Sequence, residues 1–85
     1  MMKNKVLIEI YIPSIDERYN IYLPLNKNIA EIITLIGKSA GELKRLDNIN
    51  YNNFSLYNSD TGIVYTPDKL IRETNIRNGT RLIMM

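Results

Sequence analysis

The sequence predicts one small α+β domain: a strand hairpin, a single amphipathic helix, a second short hairpin and a closing strand. Three observations carry this reading. The chain has 85 residues, which suits one compact core, so residues 1–85 form a single domain. Apolar residues alternate with period two up to Leu25 and then switch to the helical spacing i, i+3, i+4, i+7 from Ile29 onward. Beyond the helix, Gly, Asn, Asp and Pro punctuate short apolar stretches of strand length.

The first strand rests on Val6, Ile8, Ile10 and Ile12, which share one side of an extended segment, with Leu7, Glu9 and Tyr11 on the other. Pro13 and Ser14 interrupt it, and after Asp16-Glu17-Arg18 a second alternation places Tyr19, Ile21, Leu23 and Leu25 on a common face. The two form a hairpin whose loop exceeds two residues, so its turn type stays open. Ile29, Ile32, Ile33 and Ile36, continued by Ala40 and Leu43, make one helical stripe. Asn28 stands at the N-cap with Glu31 three residues later, the spacing of a capping box. Gly37 and Gly41 form a small-xxx-small pair that could allow close helix contact, but they are expected to weaken or end the helix, since glycine costs about 1 kcal/mol relative to alanine there.

Residues 47–53 are Asn-rich and read as an irregular polar connection. Phe54, Leu56 and residues 63–65 flank the turn Asn58-Ser59-Asp60-Thr61-Gly62 as a minor hairpin. Thr66-Pro67-Asp68 starts a short helical turn expected to bury Leu70, Ile76 precedes the Asn78-Gly79 turn, and residues 81–85 form the last strand. The expected core is Val6, Ile8, Ile10, Ile21, Leu23, Ile29, Ile32, Ile36, Leu70 and Leu82.

Composition excludes several chemistries. Cysteine and histidine are absent, which removes disulfides, thiolate metal sites, imidazole ligands and the side chain that titrates near neutrality. No metal, no cofactor and no enzymatic activity are expected. Asp16 with Glu17, and Asp60 with Asp68, are the only carboxylate groupings, and solvated turn residues explain them. Gly62 and Gly79 match no phosphate-loop spacing and are explained by positive backbone dihedrals in turns. The formal charge of +2 is small, and the densest basic group, Lys38, Lys44 and Arg45, reads as a solvated helix face. Nucleic acid is therefore not an expected partner. Met1-Met2-Lys3-Asn4-Lys5 and the apolar run behind it imitate a signal peptide, but Glu9 and Pro13 break the imitation. Membrane insertion is not expected either, because no apolar run approaches spanning length. Frequent Ile, Asn, Lys and Tyr fit the AT-rich codons of a low-GC bacterial genome.

The order of elements resembles the ubiquitin-like β-grasp fold, which implies a mixed sheet of four to five strands wrapping one main helix. The stretch Thr74-Asn75-Ile76-Arg77-Asn78-Gly79-Thr80-Arg81-Leu82 is similar to ubiquitin's Asn-Ile turn and final strand. It is closer to the Asn-Gly segment of the YukD and EsaB family of bacterial ubiquitin-like proteins, which accompany type VII secretion systems. That resemblance implies a cytoplasmic accessory or regulatory protein whose partner is a secretion-system component. Two departures bear on function. Conjugated ubiquitin relatives and sulfur carriers need a flexible Gly-Gly tail, whereas this chain closes on Leu82-Ile83-Met84-Met85, so neither conjugation nor sulfur transfer is expected. Matching by position also puts Ser55 at the centre of the patch that ubiquitin's receptors read, which argues against recognition by those receptors.

Alternation places Leu7, Tyr11, Tyr22, Ser55, Tyr57, Ile83 and Met85 opposite the core-facing residues. A one-sided sheet is normally polar there, while aromatic residues and Met are enriched at interface centres. Tyr11, Ser55, Tyr57, Ile83 and Met85 are thus the candidate interaction surface, for a protein partner or for a second copy in a homo-oligomer. The competing readings are a carrier relative without its Gly-Gly tail and a nucleic-acid-binding β-grasp domain. The latter would need basic residues interleaved with aromatics, of which Tyr57 and Arg81 are only a beginning.

Overall fold

The computed structural model describes residues 4–44 and 51–85. Strand β1 (Lys5–Ile12) and strand β2 (Glu17–Pro24) form an antiparallel hairpin in unbroken register from Lys5 opposite Pro24 to Ile12 opposite Glu17. The connection is a 3₁₀ turn over Pro13–Ile15 closed by Asp16 in the left-handed region, with φ +50°. Asp is among the few non-glycine residues that enter this region readily. Helix α1 (Ile29–Lys44) follows, then strand β3 (Leu56–Asn58) and strand β4 (Arg81–Met84). The sheet order is β2-β1-β4-β3, with β4 parallel to β1 and antiparallel to β3. One helix lies on a mixed four-stranded sheet, the lower bound of the expected strand number.

The alternation in β1 is realised fully: Val6, Ile8, Ile10 and Ile12 are buried, and Leu23, Leu56, Leu82 and Met84 join them beneath Ile29, Ile32, Ile33, Ile36 and Ala40 of α1. Tyr19, Ile21 and Leu25 are half-buried against this core. Ile21 is therefore a rim residue and not the full core residue expected, because β2 lies at the sheet edge. A second correction concerns the turn after Pro67. The 3₁₀ turn spans Ile71–Glu73, so Ile71 is fully buried while Leu70 sits half-exposed at its cap. Ile71 is fastened there by its N–H donating to Lys27 O at 2.9 Å, and the Ile29 N–H donates to Lys69 O at 2.9 Å. The Asn28–Leu70 bridge thus ties the start of the helix to the turn.

Asn28 caps the helix, its Oδ1 accepting the Glu31 N–H at 2.8 Å, and the Glu31 carboxylate lies 3.7 Å from Lys27 Nζ. The helix does not end at its glycines: Gly37 and Gly41 are both helical and buried. A Cβ at position 37 would collide with the Tyr51 ring. Gly37 serves close packing, and that contact offsets its unfavourable helix propensity. Tyr51 itself begins a 3₁₀ turn (Tyr51–Asn53) and is buried, edge-on to Phe54 with ring centroids 5.2 Å apart. The polar connection expected over 47–53 lies outside the described residues at 47–50 and contains a core aromatic at 51. Arg45 of the basic group also lies outside them. The minor hairpin forms only in part: Val64 makes a single bridge to Tyr57, with Tyr65 N–H to Leu56 O at 2.9 Å and Asn58 N–H to Ile63 O at 2.9 Å. Gly62 and Gly79 have φ of +74° and +87°, as their turn positions require.

Candidate interaction surface

The outer face of the sheet is built by register as well as by alternation. Tyr11 lies opposite Ile83 across the parallel β1–β4 pair, and Ile83 lies opposite Tyr57 across β4–β3. Arg18 of β2 is opposite Tyr11, and Val64 bridges to Tyr57. Five side chains from four strands and one bridging segment therefore line up in a row across the sheet, neighbours about 5 Å apart. Tyr11, Tyr57 and Ile83 are half-buried, shielding one another while keeping an accessible surface. Tyr11 is held in place from two sides: its hydroxyl donates to Asp16 Oδ1 at 3.1 Å, and the Arg18 guanidinium sits 4.1 Å from its ring centroid. A cation over a ring at such a site is worth about 0.5–1 kcal/mol, enough to fix the orientation of an otherwise free ring.

The neighbouring rows differ in chemistry. On one side Asn20, Glu9 and Arg81 are in register, and Arg81 pairs with Asp60 at 2.8 Å. That pairing offsets the positive charge that a nucleic-acid-binding face would need. On the other side Met85 and Ser55 exchange two backbone bonds, Ser55 N–H to Met85 O at 2.8 Å and Met85 N–H to Ser55 O at 3.1 Å. Met85 is exposed and Ser55 half-buried. The structure thus brings together all five expected residues: Tyr11, Tyr57 and Ile83 form the centre, and Ser55 and Met85 the flank. Leu7 and Tyr22 face each other two rows away and are exposed.

Two contributors were missed from sequence. Arg18 joins the row through its cross-strand pairing with Tyr11, and Val64, 51% exposed, extends it through its bridge to Tyr57. Alternation from Tyr65 would place Val64 on the side opposite Tyr65. Of the carboxylates, Asp16 serves Tyr11 and Asp60 serves Arg81.

No family model and no curated protein matches the chain. Solved structures do match it. The N-terminal ubiquitin-like domain of the 4931431F19Rik protein superposes with TM-score 0.74 at 14% identity, covering 99% of this chain and 76% of that one. The chain has a ubiquitin-like β-grasp fold. The ubiquitin-like domain of EccD5 from Mycobacterium xenopi matches with TM-score 0.72 at 16% identity, covering 95% of this chain and 92% of that one. A chain of the ESX-5 inner membrane complex matches with TM-score 0.78 at 15% identity; the match covers 96% of this β-grasp chain and 21% of that longer one. At such identities the likeness is one of fold. Among the described residues, no helix of this β-grasp domain is long and apolar enough to cross a membrane.

Proposed function

We propose that this chain is a non-conjugated, non-enzymatic ubiquitin-like module that docks a protein partner on its outer sheet face, as a cytoplasmic accessory or regulatory component of a type VII (ESX-like) secretion system. One observation carries the docking reading. Tyr11, Ile83 and Tyr57 form a row in register across β1, β4 and β3 on the face turned away from α1. Large apolar and aromatic side chains at the centre of a patch, with Arg18, Arg81, Asp60 and Ser55 around them, match the anatomy of a protein interface: an apolar middle inside a polar rim. The secretion reading is supported by similarity to the YukD and EsaB family in residues 74–82 and by the shared fold with EccD5 and a chain of the ESX-5 complex.

The test pairs binding with a fold check. Ile83→Asp and the double variant Tyr57→Asp, Ile83→Asp place carboxylates where the partner would have to desolvate them. Both should keep the circular dichroism of the parent and lose binding to the purified secretion components encoded beside the gene. Full binding by the folded double variant would overturn the docking face. A gene neighbourhood without secretion components would overturn the secretion role and leave the docking face standing.

A further inference from the structure

The two edges of the sheet are finished differently. Beyond β3, the segment around Val64 takes up the free backbone groups of Leu56 and Asn58. Beyond β2, no further strand is added among the described residues. Hydrogen-bond parity shows what that edge offers. The Leu25 N–H donates to Asn4 O, whereas Glu9 N–H to Thr80 O and Gly79 N–H to Leu7 O turn the odd residues of β1 toward β4. In the continuous β1–β2 register, Tyr19, Ile21 and Leu23 therefore point their backbone groups at β1, and Arg18, Asn20 and Tyr22 point theirs outward. The usual protections of an edge stand only at the ends of β2, Glu17 and Arg18 at one and Pro24 at the other; residues 19–23 between them carry no charge and no proline, and the register contains no bulge. Alongside it runs an apolar groove of about 190 Å³ between β2 and α1, lined by Tyr19, Ile21, Ile36, Ala40 and Leu35, the last 49% exposed.

We infer that β2 pairs antiparallel with β2 of a second copy, about a two-fold axis through Asn20, joining two four-stranded sheets into one. The strand is complementary to itself in this register. Arg18 faces the neighbour's Tyr22, Asn20 faces Asn20, and every outward N–H of the three residues finds a carbonyl, each pair exchanging two bonds. On the outer face each Arg18, its guanidinium held over Tyr11 of its own chain, lays its aliphatic stem beside the neighbour's Tyr22 ring, and the two Asn20 amides can bond across the axis. On the inner face Tyr19 meets the neighbour's Ile21, continuing the apolar lining of the groove. Moving the axis to Tyr22 would set Asn20 against Pro24, which has no N–H to donate, and would separate Arg18 from the ring. An axis at Arg18 would oppose two guanidinium groups.

Asn20 is exposed, so substitutions there test the axis without touching the core. Sedimentation velocity from micromolar to millimolar concentration should show a dimer for the parent chain. Asn20→Lys and Asn20→Asp should each lose it, because like charges then lie opposite across the axis, and an equimolar mixture of the two should regain it. The chain has no cysteine, so Asn20→Cys supplies a single thiol; paired residues about 5.5 Å apart at Cα lie within disulfide range. It should oxidise to a covalent dimer, and Lys69→Cys should not. Ile83→Asp, on the face proposed for the partner, should leave dimerisation unchanged. A parent that stays monomeric, folded charge variants that dimerise as the parent does, a mixture that fails to reassociate, or a monomer that instead captures an extended apolar peptide along β2 would each overturn the inference.

Discussion

Asn58 and Tyr51 are two polar side chains buried to nearly the same degree, at 8% and 9% exposure, yet their hydrogen bonds are opposite. Asn58 uses both ends of its amide. Its Oδ1 accepts the Asp60 and Thr61 N–H groups at 2.9 and 3.1 Å, and its Nδ2 donates to the Tyr65 hydroxyl, which in turn donates to Asn75 Oδ1 at 2.7 Å. The Tyr51 hydroxyl has no hydrogen-bonding partner among the described residues. One residue is buried for its polar group and the other despite it. Asn58 shapes the turn that positions Val64 beside Tyr57, whereas Tyr51 contributes its ring, set against Gly37 and edge-on to Phe54. Burial alone therefore does not reveal what a polar side chain does; the count of its partners does.

The largest effect expected is from removing the ring. Tyr51→Ala should destabilise by about 3–5 kcal/mol, measured by urea denaturation, because a core aromatic and its contact with α1 are lost together. Next is Asn58→Ala, at about 1–3 kcal/mol, since it leaves the Tyr65 hydroxyl and two turn N–H groups short of partners. Amide exchange at Asp60 and Thr61 should accelerate in that variant, and unchanged exchange would break the contrast with Tyr51. Gly37→Ala should cost about 1–3 kcal/mol in the parent through overpacking. In the Tyr51→Ala background it should stabilise by up to about 1 kcal/mol, because only the helix-propensity gain then remains. Equal effects in both backgrounds would show that the ring is not what excludes a Cβ.

The smallest effect, Tyr51→Phe, sharpens the comparison most. Losing a hydroxyl that has no partner among the described residues should change stability by less than about 1 kcal/mol, in the favourable direction. Burial, with a smaller contribution from Tyr19, pushes the Tyr51 phenol above its ordinary pKa. The fold thus favours the neutral phenol, and this contribution is fully present below the ordinary value of about 10 and is lost as pH rises through the raised one. Alkaline denaturation should accordingly be less steep in Tyr51→Phe than in the parent. Parallel pH profiles would show that the hydroxyl is solvated after all.

These two residues also mark how far sequence reading reaches. Period-two alternation in Val6 to Ile12 and the helical stripe from Ile29 to Ile36 were legible because each depends on one segment burying one face. At Gly37 the less favoured reading, close contact, is the one the structure bears out, because propensity is local while its partner Tyr51 stands in what reads as a polar loop. Leu70 and not its neighbour Ile71 reads as the buried residue because a short 3₁₀ turn has too few residues to establish a period. On the outer face, alternation assigned Tyr11, Tyr57 and Ile83 to the correct side. Their alignment in one row depends on the offset between β1 and β4, which no pattern within either strand encodes. Arg18 enters the row through the β1–β2 register instead, which the open turn type of the hairpin leaves unset in the sequence.

The position of β4 in the sheet has a consequence for how the domain comes into being on the ribosome. Arg81–Met84 lies between β1 and β3 although it is the last strand in chain order, and Glu9 pairs with Arg81 only after the intervening residues have been made. The β1–β2 hairpin can close early, but until β4 emerges β1 keeps an open side and β3 has no central strand to join. Such long-range parallel pairing forms slowly, because loop closure precedes any gain from contact. Nascent chains halted at Gly79 should therefore remain protease-sensitive, and folding should occur as one late step when residues 81–84 leave the exit tunnel.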